Sequence, residues 1–177
     1  MKKLYFIRHG LSEMNKSGHY AGSSDTPLAE EGRDQAKAAG QKARKLDIDL
    51  IVSSPLSRAN DTAHIIANEI GYPNEKILIS PLLTERSWGD WEGKAFRPIA
   101  ENEFDEIPNA EKSHELIMRA EKALRYLETL PAEHILVVSH GTFGRALRHH
   151  VLDDMPFVAE AGDEKLRLPN GEIIQWI

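Results

Sequence analysis

Two short apolar runs in this chain each end at a histidine followed by a glycine. Leu4-Tyr5-Phe6-Ile7 leads into Arg8-His9-Gly10, and Ile135-Leu136-Val137-Val138 leads into Ser139-His140-Gly141. Runs of four apolar residues that stop at a polar turn are typical of buried strands. Because ligands of open α/β sheets bind at the carboxyl ends of the strands, this pattern predicts a site that contains both imidazoles.

The remaining hydrophobic pattern alternates between strand-like and helix-like segments. Short apolar runs predict strands at 3–8, 49–53, 76–79 and 134–139, with an edge strand at 171–177. Apolar residues at helical spacing predict helices at 28–46, 56–70, 113–130 and 142–152. This alternation predicts an α/β fold, a three-layer α/β/α sandwich with a mostly parallel central sheet.

Residues 84–112 show neither the apolar run of a strand nor the helical spacing of apolar residues. They contain two tryptophans, two prolines and a cluster of acidic residues. Long irregular segments in compact domains are often functional, so we expect a short lid-like insertion at about 94–112. The rest of the pattern is continuous, and we expect a single domain over residues 1–177.

Composition and charge narrow the class of protein. The 177 residues are 41% hydrophobic and 28% charged, as in one ordinary globular α/β domain. There is no cysteine, which excludes disulfides and cysteine-based metal sites. No apolar stretch approaches the roughly 20 residues that span a bilayer. No apolar leader precedes the first strand, so we expect no signal peptide and a cytoplasmic location.

The net charge of −6 argues against a general nucleic-acid binder, which needs a basic face. It does not argue against a phosphate site, because a few arginines in a cleft outweigh the average charge locally. We therefore expect neither nucleic acid nor a membrane as partner. The sequence leaves the oligomeric state open between a monomer and a homodimer.

Arginines accompany the histidines at the predicted sheet edge. Arg8 adjoins His9, and Arg58 follows the second strand in the first turn of a helix. A phosphoryl group in transfer spreads negative charge over its oxygens, and arginine is the side chain best suited to bind it. Three strand ends thus deliver Arg8 with His9, then Arg58, then His140. This set predicts phosphoryl transfer, and we expect a small phosphorylated substrate as partner.

Roles within this set follow from position. Neutral imidazole is nucleophilic at one nitrogen when the other nitrogen donates its proton to an acceptor, and His9 has Arg8 beside it to hold the phosphate. His140 would then bind an equatorial oxygen. Glu85 follows the third strand closely and is the candidate general acid for the leaving oxygen.

Four sequence blocks, in order, resemble the histidine phosphatase superfamily, the phosphoglycerate-mutase-like group. The first contains Arg8-His9-Gly10 with Ser12 and Asn15, followed by Gly22, Asp25, Pro27-Leu28 and Gly32. The second is Ser53-Ser54-Pro55-Leu56-Ser57-Arg58-Ala59 with Thr62-Ala63. The third is Glu85 with Trp88-Gly89 and Trp91-Glu92-Gly93, and the fourth is Ser139-His140-Gly141.

The resemblance implies a role for each matching residue. His9 would be the phosphorylated nucleophile and Glu85 the proton donor. The phosphate pocket would consist of Arg8, Arg58 and His140, with further contacts from Ser12, Asn15, Gly22 and Gly141. The family transfers phosphoryl groups through phosphohistidine, to water or between positions of a sugar acid, without metal or other cofactor.

Other interpretations stay open at this level. The histidines could be ordinary buried polar residues, Arg58 could pair with Asp61, and Glu85 could form a surface pair with Arg86. A metal-dependent hydrolase is disfavoured, because adjacent guanidinium groups would repel a dication.

Among enzymes we favour a phosphatase over a phosphoglycerate mutase. Only about 20 residues separate Gly93 from the helix at Ser113, and few of them are basic. A site that holds two phosphates on one substrate would prefer more positive charge. The further alternative is a weakly active phosphoprotein-binding regulator on the same fold.

Overall fold

A computed structural model describes residues 2–152, 157 and 167–177 of the chain. In this part of the chain five strands form one sheet. The strands are β1 (Lys3–Arg8), β2 (Leu50–Ser53), β3 (Leu78–Ile79), β4 (His134–Ser139) and β5 (Ile173–Gln175), in the order β3-β2-β4-β1-β5. All pairings are parallel except that of β1 with β5. The α/β class and the mostly parallel sheet are confirmed.

Helices cover both faces of this sheet. They are α1 (Glu13–Lys16), α2 (Glu30–Ala43), α3 (Ser57–Ile70), α4 (Ser113–Thr129) and α5 (Gly141–Val151). Successive strand residues point to opposite faces, so Phe6 and Val137 pack with the apolar sides of α4 and α5, whereas Ile7 and Val138 pack with those of α2 and α3. No helix within the described ranges is long and apolar enough to cross a membrane.

Some predicted boundaries differ from those in the structure. The helix predicted at 28–46 extends only over Glu30–Ala43, and the strand predicted at 76–79 is reduced to Leu78–Ile79. A 3₁₀ turn, Asn74–Lys76, takes the place of the beginning of that strand. Helix α1 is absent from the prediction, because four residues are too few to show a helical period.

Part of the predicted insertion at 94–112 belongs to the hydrophobic core. It contains a 3₁₀ helix, Glu101–Glu106, and buries Phe104 and Ile107 against the cluster beneath α4 and α5. The guanidinium of Arg86 lies 3.5 Å from the centre of the Phe104 ring and donates to the Phe104 carbonyl over 2.6 Å. These contacts fix the middle of the segment, and only its first residues reach the rim of the site described below.

The turn that follows β1 rests directly on the start of α2. A Cβ atom at Gly10 would collide with the backbone carbonyl of Gly32. The Gly10 N–H also donates to Thr62 Oγ in α3 over 3.1 Å. Glycine is therefore required for this backbone approach, which holds the segment containing His9 against two helices.

Candidate active site

The sheet order brings the predicted site residues to one edge. His9 follows β1, His140 follows β4 at the N-cap of α5, and Arg58 is the second residue of α3 beyond β2. Strands β1 and β4 are neighbours and β2 adjoins β4, so the three carboxyl ends lie side by side. The centres of the two imidazole rings are 5.1 Å apart.

Both ring nitrogens of His9 have defined partners. Nδ1 lies 2.6 Å from the carbonyl oxygen of Gly10, and Nε2 accepts from Arg58 Nε over 3.2 Å. A carbonyl oxygen only accepts hydrogen bonds, so Nδ1 carries the ring proton. The lone pair of His9 therefore lies on Nε2, at the arginine.

The environment keeps His9 neutral. Burial lowers the pKa of His9 well below its usual value, and the positive charges of Arg58 and Arg8 lower it further. The hydrogen bond to Gly10 acts in the opposite direction without reversing the shift. A buried imidazole that stays unprotonated at neutral pH has the form that nucleophilic attack requires.

Arg58 is almost fully buried, at 1% exposure, and hydrogen bonds hold its guanidinium on three sides. Besides the bond to His9, its two terminal nitrogens donate to backbone carbonyls, Nη2 to Gly22 over 2.7 Å and Nη1 to Ser24 over 3.0 Å. Burial lowers the pKa of Arg58 from its ordinary value, and the carboxylates of Glu85 and Asp25 counteract this. The guanidinium remains charged, since arginine stays protonated in proteins.

Two further polar groups at this edge are buried and lack a partner among the described residues. They are Nδ1 of His140 and Nε of Arg8. The other ring nitrogen of His140 lies 2.8 Å from Ser54 Oγ, and Arg8 Nη1 donates to the Leu168 carbonyl over 3.2 Å. Buried polar groups normally have partners, so these two atoms suit a ligand that accepts hydrogen bonds.

Burial also dominates the electrostatics of these two residues. It lowers the pKa of His140 well below the usual value, with Arg58, His9 and Arg8 acting in the same direction. It lowers the pKa of Arg8 as well, and Glu85 opposes that shift. The edge thus combines two neutral imidazoles with the buried guanidinium of Arg58 and the half-buried one of Arg8.

Glu85 is positioned by backbone N–H groups. One carboxylate oxygen accepts from Arg86 N over 2.9 Å and from Phe143 N over 2.8 Å, and the other accepts from Thr142 N over 3.0 Å. Two of these donors belong to the first turn of α5, where an acidic group is favoured. The carboxyl group therefore occupies a fixed position at the sheet edge.

The sequence left open two surface ion pairs, Arg58 with Asp61 and Glu85 with Arg86, and in the described structure these side chains have other partners. The Arg86 guanidinium lies over the rings of Trp88 and Phe104 and donates to the backbone carbonyls of Glu111 and Phe104. Asp61 accepts from Arg33 over 3.4 Å, and Arg58 is engaged as described above.

A cavity of about 770 Å³ opens over this edge. Seven of the predicted site residues line it: Arg8, His9, Asn15, Gly22, Arg58, Glu85 and Gly141. His140 and Ser12 are not among the lining residues described. The His140 ring meets the His9 ring edge to face, and Ser12 is the N-cap of α1, where its hydroxyl accepts from Asn15 N over 3.2 Å.

The other residues predicted for the phosphate pocket are Asn15, Gly141 and Gly22, and each has different surroundings. Asn15 presents a buried side-chain oxygen without a hydrogen-bond partner in the described structure. Gly141 packs on Arg8, since a Cβ there would lie 3.3 Å from the guanidinium carbon. Gly22 has a φ of +54°, a conformation that favours glycine.

Glu92 is a supporting residue for which the sequence alone predicted no role. Its carboxylate accepts five hydrogen bonds, from the backbone N–H and hydroxyl groups of Ser23 and Ser24 and from Trp88 N. These bonds lower the pKa of Glu92 even though burial acts in the opposite direction. Its serine partners lie 68 and 69 positions away in the sequence, so no local pattern indicates these bonds. The only signal for Glu92 in the sequence is its place in the block Trp91-Glu92-Gly93.

The position of Glu92 links two parts of the site. It holds the turn at Ser23 and Ser24, and the carbonyls of Gly22 and Ser24 hold Arg58. A Cβ at Gly22 would collide with the Glu92 carboxylate. Through Trp88 N the same carboxylate fixes the segment that follows Glu85. Glu92 therefore acts on the site through the two loops it joins.

The described residues contain no group of three or more His, Cys, Asp or Glu side chains arranged to hold a metal ion.

Comparison with known proteins identifies related sequences. Residues 4–170 match the family model of the histidine phosphatase superfamily (branch 1). The chain is 34% identical, over 164 residues, to a 2,3-bisphosphoglycerate-dependent phosphoglycerate mutase of Parvibaculum lavamentivorans. That match covers 81% of this chain and 77% of the relative.

Solved structures with the same fold include phosphatases. A mycobacterial glucosyl-3-phosphoglycerate phosphatase in complex with VO3 superposes with a TM-score of 0.82 at 27% identity, covering 99% of this chain and 90% of the other. The α-ribazole phosphatase of Shigella flexneri gives a TM-score of 0.80 at 28% identity, covering 98% and 89%. Phosphatases and a mutase thus occur among the relatives.

The lowered pKa values of His9 and His140 predict a pH dependence of stability. Below about pH 6.5 the unfolded chain binds protons at these histidines that the folded chain does not, so stability falls as pH falls. Each histidine contributes a slope of up to about 1.4 kcal/mol per pH unit. Urea unfolding between pH 5 and 7.5 should show a shallower slope for His140→Asn than for the wild type.

The exposed His114 provides the control for that series. His114→Asn should keep the wild-type slope. Equal slopes for the wild type and His140→Asn would contradict the assignment of His140 as a buried neutral imidazole.

The contacts of Glu92 predict that its charge matters for anion binding. Glu92→Gln puts an amide NH₂ where backbone N–H and hydroxyl donors now point, and this change loosens the turn that holds Arg58. Losing such charge-assisted bonds costs about 1.5 kcal/mol or more, so affinity for inorganic phosphate should fall about tenfold by calorimetry. Glu69→Gln, which removes a carboxylate paired with Arg44, should bind phosphate like the wild type. Wild-type affinity in Glu92→Gln would refute the role of Glu92.

Proposed function

The chain belongs to the histidine phosphatase superfamily (branch 1), and on that premise we propose that it is a phosphatase that hydrolyses monoesters of small phosphorylated metabolites through phosphohistidine at His9. The observation that carries the proposal is the pairing of His9 with Arg58. A neutral imidazole with its lone pair on Nε2 meets a buried guanidinium at 3.2 Å, on the wall of a cavity that also contains Arg8.

In the first step the substrate phosphoryl group binds between the two arginines. The Arg58 N–H that now meets His9 Nε2 turns to a phosphoryl oxygen, which releases the lone pair for attack. The bond from Nε2 to phosphorus forms as the ester P–O bond breaks. The electron pair leaves with the ester oxygen, which takes a proton that the Glu85 carboxylate has taken up from solvent as the anionic substrate binds. His9 Nδ1 keeps its own proton, which it donates to the Gly10 carbonyl.

In the second step water replaces the histidine. Glu85, now a carboxylate, takes a proton from the water while the water oxygen attacks phosphorus. The P–N bond breaks, its electron pair returns to His9 Nε2, and inorganic phosphate leaves. Each residue is thereby restored to its protonation state in the substrate complex, and Glu85 acts first as acid and then as base.

Arginine side chains supply the positive charge for both steps. Arg58 and the free Nε of Arg8 bind the equatorial oxygens, and the unpartnered Nδ1 of His140 donates to the same group. The two guanidinium groups of Arg8 and Arg58 would repel a dication placed beside them. This donor set therefore supports a metal-independent mechanism.

The segment at 94–112 favours hydrolysis over the mutase reaction. Two of its basic side chains are engaged within the segment itself. Arg97 pairs with Glu103 at 3.0 Å, and the Lys112 ammonium donates to the carbonyl of Asp105. A mutase must retain a doubly phosphorylated intermediate, for which these side chains offer no clamp.

A mutase is the second candidate, because Arg145 and Arg167 also line the cavity. These arginines could bind a second anionic group on a sugar acid. The relative from Parvibaculum lavamentivorans is named as a mutase. Isomerisation of 3-phosphoglycerate primed with bisphosphoglycerate, measured beside phosphate release, separates the two activities. Isomerisation that is faster than phosphate release would favour this second candidate.

The direct test of the proposed function is the phosphoenzyme. Rapid quenching of wild-type protein with p-nitrophenyl phosphate should give one acid-labile phosphoryl group, located on His9 by mass spectrometry. His9→Ala should give neither phosphoenzyme nor turnover above background, while His64→Ala should keep both. Turnover that persists in His9→Ala would overturn the assignment, and total inactivity of the wild type would favour a binding protein.

The role of Glu85 predicts a dependence on the leaving group. Glu85→Gln removes the proton donor but keeps the shape of the side chain. The kcat/KM reports only the steps up to release of the leaving group, so it excludes the later step in which Glu85 acts as base. The kcat/KM on alkyl phosphates, which need a proton on the leaving oxygen, should fall about 10²- to 10⁴-fold. The kcat/KM on p-nitrophenyl phosphate, whose leaving group is stable as an anion, should fall much less. Equal losses on both substrates would remove Glu85 from the acid role.

A further inference from the structure

One side of the cavity is apolar although the phosphoryl end is highly polar. The aromatic rim, as we name this side, consists of Tyr20, Trp88, Phe96, Pro98 and Ile99. The cavity of about 770 Å³ is far larger than a phosphoryl group, so a phosphoryl group bound at His9 leaves most of its space free. The leaving group of a bound monoester must occupy that space.

Phe96 is the exposed aromatic ring of the aromatic rim. It is 58% exposed, whereas Tyr20, Trp88 and Ile99 are buried at 4%, 8% and 7%. The ring nevertheless contacts Tyr20, with ring centres 5.0 Å apart. Tyr20 in turn packs on Trp88 at 4.8 Å, so an aromatic surface extends from the core to the mouth of the cavity.

The backbone that carries Phe96 is fixed in place. Phe96 N donates to the Gly18 carbonyl over 2.7 Å, and Tyr20 N donates to the Lys94 carbonyl over 3.0 Å. The Tyr20 hydroxyl adds a bond to the Arg97 carbonyl at 2.7 Å. These three bonds join residues 18–20 to 94–97 on both sides of the ring, so the ring is held at the rim without being buried.

An exposed aromatic ring on an ordered backbone, continuous with a catalytic cavity, is a typical surface for apolar recognition. We infer that the aromatic rim binds the leaving group of the substrate, and that this group presents an apolar, preferably planar face to Phe96. The inference rests on the proposed function, since that function places the phosphoryl group at His9. It assigns the substrate class as phosphate monoesters of alcohols that contain a ring or a comparable apolar portion.

Two pairs of compounds test this inference without dependence on leaving-group acidity. 2-Phenylethyl and ethyl phosphate both release simple alcohols, and their phosphonate counterparts bind without being hydrolysed. The wild-type protein should prefer the phenylethyl member of each pair about tenfold, in kcat/KM and in calorimetric Kd. Phe96→Ala should reduce this preference about fivefold, the scale of one lost aromatic contact.

Met118→Ala is the matched control, because Met118 is 54% exposed on α4 and does not line the cavity. It should keep the full preference. A wild-type protein that binds both phosphonates equally or not at all would overturn the inference, and so would an unchanged preference in Phe96→Ala. A preference in phosphonate binding without any phosphate release would instead contradict the proposed function and leave the subsite standing.

Discussion

The site depends on one buried cation, the guanidinium of Arg58. It contacts His9 Nε2 and two backbone carbonyls, so one side chain fixes both the orientation of the imidazole and the loop opposite it. A buried charge is costly unless it is compensated. Here the compensation comes from carbonyl dipoles and from nearby carboxylates. A phosphoryl group supplies the full counter-charge, which is why the arrangement favours an anionic substrate.

The surrounding structure holds this cation and its partners without much freedom. Glu92 ties the Ser23-Ser24 turn, and Asp25 accepts from the N–H and hydroxyl of Ser57 at the start of α3. Gly10 lets the backbone of Gly32 approach closely, and Gly22 does the same for the Glu92 carboxylate, where a Cβ atom would collide. Catalysis by positioning needs such preorganisation, because donors held next to the developing charge need little rearrangement, here the turn of the Arg58 N–H from His9 to the substrate. Burial, together with the charges of Arg58 and Arg8, lowers the pKa of both imidazoles and keeps them neutral at the pH where one must attack.

The sequence was sufficient to predict the sheet and the edge where the site lies, because buried parallel strands are near-continuous apolar runs and each of these ends at a polar turn. It could also place His9, Arg58 and His140 at neighbouring strand ends. It could not predict the five-bond role of Glu92, which depends on partners distant in the chain. Nor could it show that Phe104, within an acidic segment, is a core residue, since neighbouring charges hide a single buried ring from any periodic pattern.

The central claim is that His9 attacks a tetrahedral centre held by Arg8, Arg58 and His140. A crystal structure of the protein with orthovanadate tests it most directly, because vanadium adopts the geometry of phosphorus in transfer. The account predicts vanadium within bonding distance of His9 Nε2, with its oxygens hydrogen-bonded to both guanidinium groups and to the His140 ring. Vanadate bound elsewhere in the cavity, with His9 Nε2 still paired to Arg58, would contradict it.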